Sequence, residues 1–180
     1  MTCRIAVLVA VSALVAVPVT AQKTGSVEVG GFFGYANYDN TLPLGNTIAF
    51  GGRVGAHVLP VLAVEVDYGH AKRNSADHNA LHVFLVYNVP PVSHAEIIVG
   101  GGYVKNTYGG SYDADDSGIA GFVGVRHRFH DMFALRFDAF TDFIPNPANK
   151  SHQSTFNGNW GVQAGLSVLL NRPRATTPAR

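Results

Sequence analysis

The stretch Leu62-Ala63-Val64-Glu65-Val66-Asp67-Tyr68-Gly69 constrains this chain more than any other. Leu62, Val64, Val66 and Tyr68 fall on one side, and Ala63, Glu65, Asp67 and Gly69 on the other. A period of 2 is the period of a strand, whose successive side chains point to opposite faces. Two carboxylates opposite an unbroken apolar row can be enclosed only where the enclosure is polar. That is the pattern of a barrel whose apolar face meets lipid.

The same alternation recurs along the chain and predicts strands over 26–37, 46–58, 61–70, 79–89, 94–105, 117–129, 132–143 and 155–170. In the seventh, Phe133, Leu135, Phe137 and Ala139 oppose Arg136, Asp138, Phe140 and Asp142. In the eighth, Trp160, Val162, Ala164, Leu166 and Val168 oppose Asn159, Gly161, Gln163, Gly165 and Ser167. Glycines cluster inside these strands, as in Gly51-Gly52 and Gly100-Gly101-Gly102. In a small closed barrel such glycines permit sharp curvature and leave room beside large inward side chains.

The connections set the topology. Those at 38–45, 71–78, 106–116 and 144–154 are long and polar, whereas 59–60, 90–93 and 130–131 are short. Antiparallel strands accept tight turns, and membrane barrels carry short periplasmic turns and longer external loops. The expectation is all-β: an eight-stranded antiparallel up-and-down transmembrane β-barrel with four external loops and both termini in the periplasm.

Residues 1–21 read as a cleaved signal peptide. Arg4 and the amino terminus supply positive charge, an apolar run extends from Ile5 to Val17, and Val19-Thr20-Ala21 presents a cleavage site between Ala21 and Gln22. The run is shorter than the roughly 20 residues a spanning helix needs. The barrel domain is then 22–170, followed by a periplasmic tail at 171–180. Cleavage removes Cys3, the only cysteine, so no disulfide framework supports the mature chain. Its 12 remaining basic residues (13 less Arg4) balance 12 acidic ones, which gives no reason to expect a nucleic-acid partner. Only 14% of residues are charged, too few for an ordinary soluble domain.

Taken together, the stretch at 62–69, Val99-Gly100-Gly101-Gly102-Tyr103, Gly124-Val125-Arg126-His127-Arg128-Phe129 and Gly161-Val162-Gln163-Ala164-Gly165-Leu166-Ser167 resemble the small eight-stranded outer-membrane barrels. That family includes OmpX and the transmembrane domain of OmpA. The resemblance covers the mature chain to about Leu170. It implies insertion by the barrel-assembly machinery into the outer membrane of a Gram-negative-type cell, surrounding outer-membrane lipid, and a monomer without a cofactor. Family members usually close the last strand on an aromatic residue; here Leu170 stands there.

Eight strands enclose an interior just wide enough to be filled by side chains. Glu28, Glu65, Asp67, Glu96, Asp138 and Asp142 are expected inside with Arg53, Arg126, Arg128 and Arg136, and His57 and His82 nearby. An isolated charge in a dry interior is very costly, so these residues are expected to satisfy one another as a plug rather than line an ion pathway. Across the hairpin at 59–60, Arg53 should oppose Glu65 or Asp67. Across that at 130–131, Arg126 should lie near Asp138, because like charges directly opposite are unfavourable, with Arg128 near Arg136 tolerated closer to the wet periplasmic rim.

Catalytic and metal signals are weak. His152-Gln153-Ser154 has the His-x-Ser spacing of lipid A deacylases but lacks a neighbouring acid, and His127-Arg128-Phe129 lacks the hydroxyl. Asp113, Asp115 and Asp116 cluster in the third loop without EF-hand spacing. Gly100-Gly101-Gly102 has no Lys-Ser/Thr sequel and cradles no phosphate. The chain is therefore expected to be non-enzymatic, acting structurally or through its loops. A soluble lipocalin-like ligand-binding barrel is the alternative from a different class, and a lipid A-modifying enzyme a more distant one. Alternation alone does not separate membrane barrel from lipocalin; the two differ in which face is enclosed.

Overall fold

The computed structural model describes residues 24–39, 42, 44–89, 95–110, 113–145, 147 and 156–170. The signal peptide, the Ala21/Gln22 cleavage site, the 171–180 tail and His152-Gln153-Ser154 lie outside the described residues. Eight strands follow one another: β1 (Val27–Asn37), β2 (Asn46–Leu59), β3 (Leu62–Arg73), β4 (Ala76–Asn88), β5 (Ala95–Gly110), β6 (Ala114–Arg128), β7 (Phe133–Pro145) and β8 (Phe156–Leu170). Each pairs antiparallel with its neighbours, and β1 pairs with β8, so the sheet closes in sequence order. Closure leaves no strand edge unpaired, which is the condition for placing a sheet in hydrocarbon.

The alternation resolves into an apolar outside and a mixed inside. Val64, Val66, Leu81, Val83, Ile97, Val99, Val123, Leu135 and Leu166 all face outward and are exposed. Tyr35, Tyr68, Tyr103, Phe129, Phe133, Phe143 and Trp160 are exposed on the outside, the residue types of the aromatic girdles at a membrane's two interfaces. Charged residues are enclosed, the reverse of a soluble ligand-binding barrel. Val64, 40% exposed between Ala56 and Leu85, stands within the apolar band. Val64→Arg should lower unfolding stability by about 2–4 kcal/mol, the cost of a cation near the bilayer midplane. A denaturant titration in lipid checks this, and an unmoved midpoint would mean that Val64 does not face hydrocarbon.

The loop lengths differ from expectation. β3 and β4 run on to a two-residue turn, Asn74-Ser75, and β5 and β6 run on to 111–113. Asn74 takes φ 54°, a left-handed conformation that Asn tolerates better than most residues. The polar stretches 71–78 and 106–116 read as loops because alternation fades there. Above the apolar band the outward residues become polar, with Lys72 facing Asp77 and Lys105 facing Asp115 at 3.9 and 3.8 Å. Backbone pairing continues past that boundary, because a hairpin leaving the membrane loses its need for an apolar face but not its hydrogen bonds.

Glycine and aromatic residues interlock inside. The Phe122 ring presses on Gly100, the Phe32 ring on Gly51 and the Phe140 ring on Gly161; a Cβ at any of these glycines would overlap the ring. Phe84 meets Phe122 edge-on at 5.0 Å, and Val86, Ile98, Val104 and Ile144 complete an enclosed apolar cluster. The interior is therefore not uniformly polar. It carries an aromatic belt across its middle.

Candidate functional site

All ten charged residues expected inside the barrel point inward: Glu28 from β1, Arg53 from β2, Glu65 and Asp67 from β3, Glu96 from β5, Arg126 and Arg128 from β6, and Arg136, Asp138 and Asp142 from β7. Along β7 the inward positions run Arg136, Asp138, Phe140, Asp142 away from the turn that joins it to β6. The aromatic belt thus separates a dense network near that turn from Asp142 above it.

In the dense network Arg53, Arg126 and Arg136 each bridge two carboxylates. Arg136 donates from both terminal nitrogens to Glu65, at 2.6 and 2.9 Å, and from Nε to Asp138 at 2.8 Å. Arg53 donates to Asp138 at 3.0 Å, and its other terminal nitrogen lies 3.8 Å from Asp67. Arg126 reaches Glu96 at 2.7 Å and also bonds Glu28 and Asn88, while Arg128 bonds the other oxygen of Glu96. Such charge-assisted, forked contacts are the strongest hydrogen bonds available to side chains. Two rings of the belt support them: the Arg53 guanidinium sits 5.0 Å from the Phe32 centroid, and that of Arg136 4.7 Å from Phe122.

The register settles the expected pairs. Arg53 stands opposite Asp67, one of its two expected partners. Glu65 stands opposite Gly55 and reaches across the barrel to Arg136 instead. The β6–β7 hairpin corrects the expectation: Arg126 lies directly opposite Arg136, Asp138 opposite Gly124, and Arg128 opposite Ala134. The strands thus pair one inward position away from the expected register. Like charges tolerate this placement because the two guanidiniums face different acids, Glu28 and Glu96 for one, Glu65 and Asp138 for the other. Lumen-spanning attraction outweighs the single cross-strand repulsion.

Above the belt lies a second polar group that the sequence reading did not single out. Tyr38 donates to His78 Nδ1 at 2.9 Å, and His78 Nε2 meets Asn106 Oδ1 at 2.9 Å, which the neutral Nε2–H imidazole satisfies. Tyr108 stacks on His78 with centroids 5.0 Å apart. Leu42 and Leu44, which follow β1 in sequence, are buried beside them. Burial, reinforced by Asp142, raises the Tyr38 hydroxyl above its ordinary pKa and keeps it a neutral donor. His82 Nε2 lies 3.1 Å from Asp142 Oδ1, and its ring stacks on Phe84. These residues share strand parity with charged residues already assigned inside, and following that parity up each strand finds them.

The acidic run of the third loop does not converge: Asp115 is exposed outside the barrel and Asp116 is buried inside. Among the described residues no three His, Cys, Asp or Glu side chains are grouped so as to hold a metal ion.

A family comparison matches residues 6–143 to the outer membrane protein beta-barrel domain. The N-terminal β-barrel domain of Pseudomonas aeruginosa OprF is similar in structure, with a TM-score of 0.59 at 15% identity, covering 82% of this chain and 99% of that one. Neisserial surface protein A (NspA) gives 0.58 at 17% identity, covering 79% and 95%. The outer membrane protein OprG from Pseudomonas aeruginosa gives 0.57 at 13%, covering 84% and 98%. At these identities the likeness speaks to fold alone. No curated protein matches the sequence. With the match spanning most of its length, and with a closed eight-stranded sheet that is apolar outside and charged inside, the chain belongs to the outer membrane protein beta-barrel domain family.

Proposed function

We propose that the chain is a non-enzymatic monomeric barrel of the outer membrane, with a plugged interior and a role that is structural or exerted through its four external connections. The observation that carries this reading is the lumen-spanning arginine–carboxylate network stacked beneath the Phe32, Phe84, Phe122 and Phe140 belt. Buried charges paired in this way hold one another in place, because removing a partner leaves a desolvated charge behind. Both termini lie in the periplasm in this reading, with the β3–β4 and β5–β6 connections outside. Signal-peptide cleavage after Ala21 and insertion by the barrel-assembly machinery precede that state, and surrounding lipid is then the partner of the apolar band.

Planar-bilayer recording tests the plug. The purified protein should show little or no steady conductance, in contrast to barrels of 16–18 strands, which leave an aqueous channel. Large, stable steps from a monomeric preparation would sink the plugged reading and make the arginines a selectivity device. Mass spectrometry of lipid A from cells with and without the protein tests the enzymatic alternative. A change in acylation abolished by Ser154→Ala would establish it.

A further inference from the structure

A small cavity of about 40 Å³ lies above the aromatic belt, walled by Phe32, Phe84, Phe122 and Phe140, with Tyr38 and His78 also lining it. It exists because two of the smallest residues meet there. Gly69 of β3 and Ala80 of β4 are register partners, and both line the cavity without filling it. The barrel does not require glycine at 69. The backbone there is not in the left-handed region, and a Cβ would meet only the Phe32 ring, at 3.8 and 3.9 Å. Gly51, Gly100 and Gly161 differ, since a Cβ at each would overlap a ring. Glycine weakens a strand interior and marks places where a ligand or another backbone approaches closely. No internal contact demands Gly69; what it preserves is open space.

The polar groups on the walls are already engaged. Tyr38 bonds His78 at 2.9 Å, and His82 bonds Asp142 at 3.1 Å. Asp67 pairs with Arg53 at 3.8 Å, and Gln163 donates to Asp138 at 3.1 Å. A water in the cavity would meet mainly rings and methyl groups, where it needs roughly two to four polar partners. Such a space stays dry and gains from an apolar occupant, which restores the dispersion contacts that a void forfeits. Size sets the limit. The volume is about three times the roughly 10–15 Å³ that one water requires, and well short of the roughly 150 Å³ of a cavity that accepts benzene.

We propose that this cavity binds one small uncharged apolar molecule of a few heavy atoms, in the class of a short alkane, a halomethane or a dissolved gas. Four phenyl rings supply polarisable walls, and the Gly69–Ala80 pair supplies the room. Charge plays no part, since both acids on the walls have partners.

Xenon is the probe, being inert, polarisable and known to enter dry apolar cavities. Amide spectra of the refolded full-length mature protein in detergent micelles are recorded under rising xenon pressure. Gly69 and Ala80 report on the cavity, and Val83, which faces outward, reports on the micelle. The shifts at Gly69 and Ala80 should saturate, whereas that at Val83 should follow the linear partition of xenon into detergent. Ala80→Leu should fill the cavity and abolish the saturable shift at Gly69. Gly69→Ala should weaken xenon binding several-fold, read at Ala80. Because it adds one methyl group in ordinary contact with Phe32, it keeps the test decisive even if Ala80→Leu does not fold. Benzene should give only linear shifts in the wild type. Linear xenon shifts at Gly69 and Ala80 would overturn the proposal, as would saturable shifts that Gly69→Ala leaves unchanged. Saturable benzene shifts at these positions would overturn the stated ligand class.

Discussion

Arg136→Met is expected to destabilise the barrel by about 3–5 kcal/mol, the cost of breaking a buried pair from one side. Arg136 is among the most deeply enclosed side chains, 1% exposed, and it holds three hydrogen bonds to Glu65 and Asp138. Methionine retains much of the bulk over Phe122 but abandons both acids in a space that water cannot readily reach. Arg136→Met combined with Glu65→Gln should recover a substantial part of the loss, since one orphaned charge is then removed. Asp138 keeps Arg53, at 3.0 Å, and Gln163, at 3.1 Å, so it suffers less from the deletion than Glu65 does. The measurement is a denaturant titration of all three variants from lipid vesicles. If Glu65→Gln and Arg136→Met prove additive, the pair is not coupled and the lumen is wetter than the geometry implies.

Phe122→Ala should cost a similar amount, about 3–5 kcal/mol, through the cavity it leaves. Phe122 is enclosed at the level where the belt meets the charges, beneath the edge of Phe84 and against the Arg136 guanidinium. Its ring occupies the space above Gly100, where any Cβ would strike it. The two positions are therefore complementary halves of one packing unit. Gly100→Ala should be harmful in the wild-type background and clearly less so beside Phe122→Ala, so the two changes together cost less than their sum. If Gly100→Ala costs the same in both backgrounds, the ring does not sit over the glycine as described.

How much of this was legible in the residues differs from element to element. Strand number and type were, because hydrophobic period and turn residues are local properties: β1, β2, β7 and β8 lie within about two residues of the predicted ranges. The inward face of each strand was also legible, since parity propagates along an extended chain and the acids at Glu65 and Asp67 marked one parity in β3. The upper halves of β3 to β6 were not. Lys72, Asp77, Lys105 and Asp115 face water there, so polar residues occupy both faces and the periodic signal disappears while the ladder continues.

Parity placed ten charged residues in one enclosure but left their partners undetermined. Across a hairpin, partnership depends on the register in which the two strands pair, and at β6–β7 that register set Arg126 opposite Arg136 rather than Asp138. Across the lumen it depends on closure of the sheet, which brings Arg136 of β7 to Glu65 of β3 and Arg126 of β6 to Glu28 of β1. Nothing local encodes such approaches, since they arise only when β1 meets β8 and the strands tilt together. For the same reason the aromatic belt emerged only from the closed barrel. The alternating residues determined that this chain would form strands with one apolar and one polar face. The tertiary structure decided which charges would neutralise one another, because that depends on distances across a space the chain encloses only when folded.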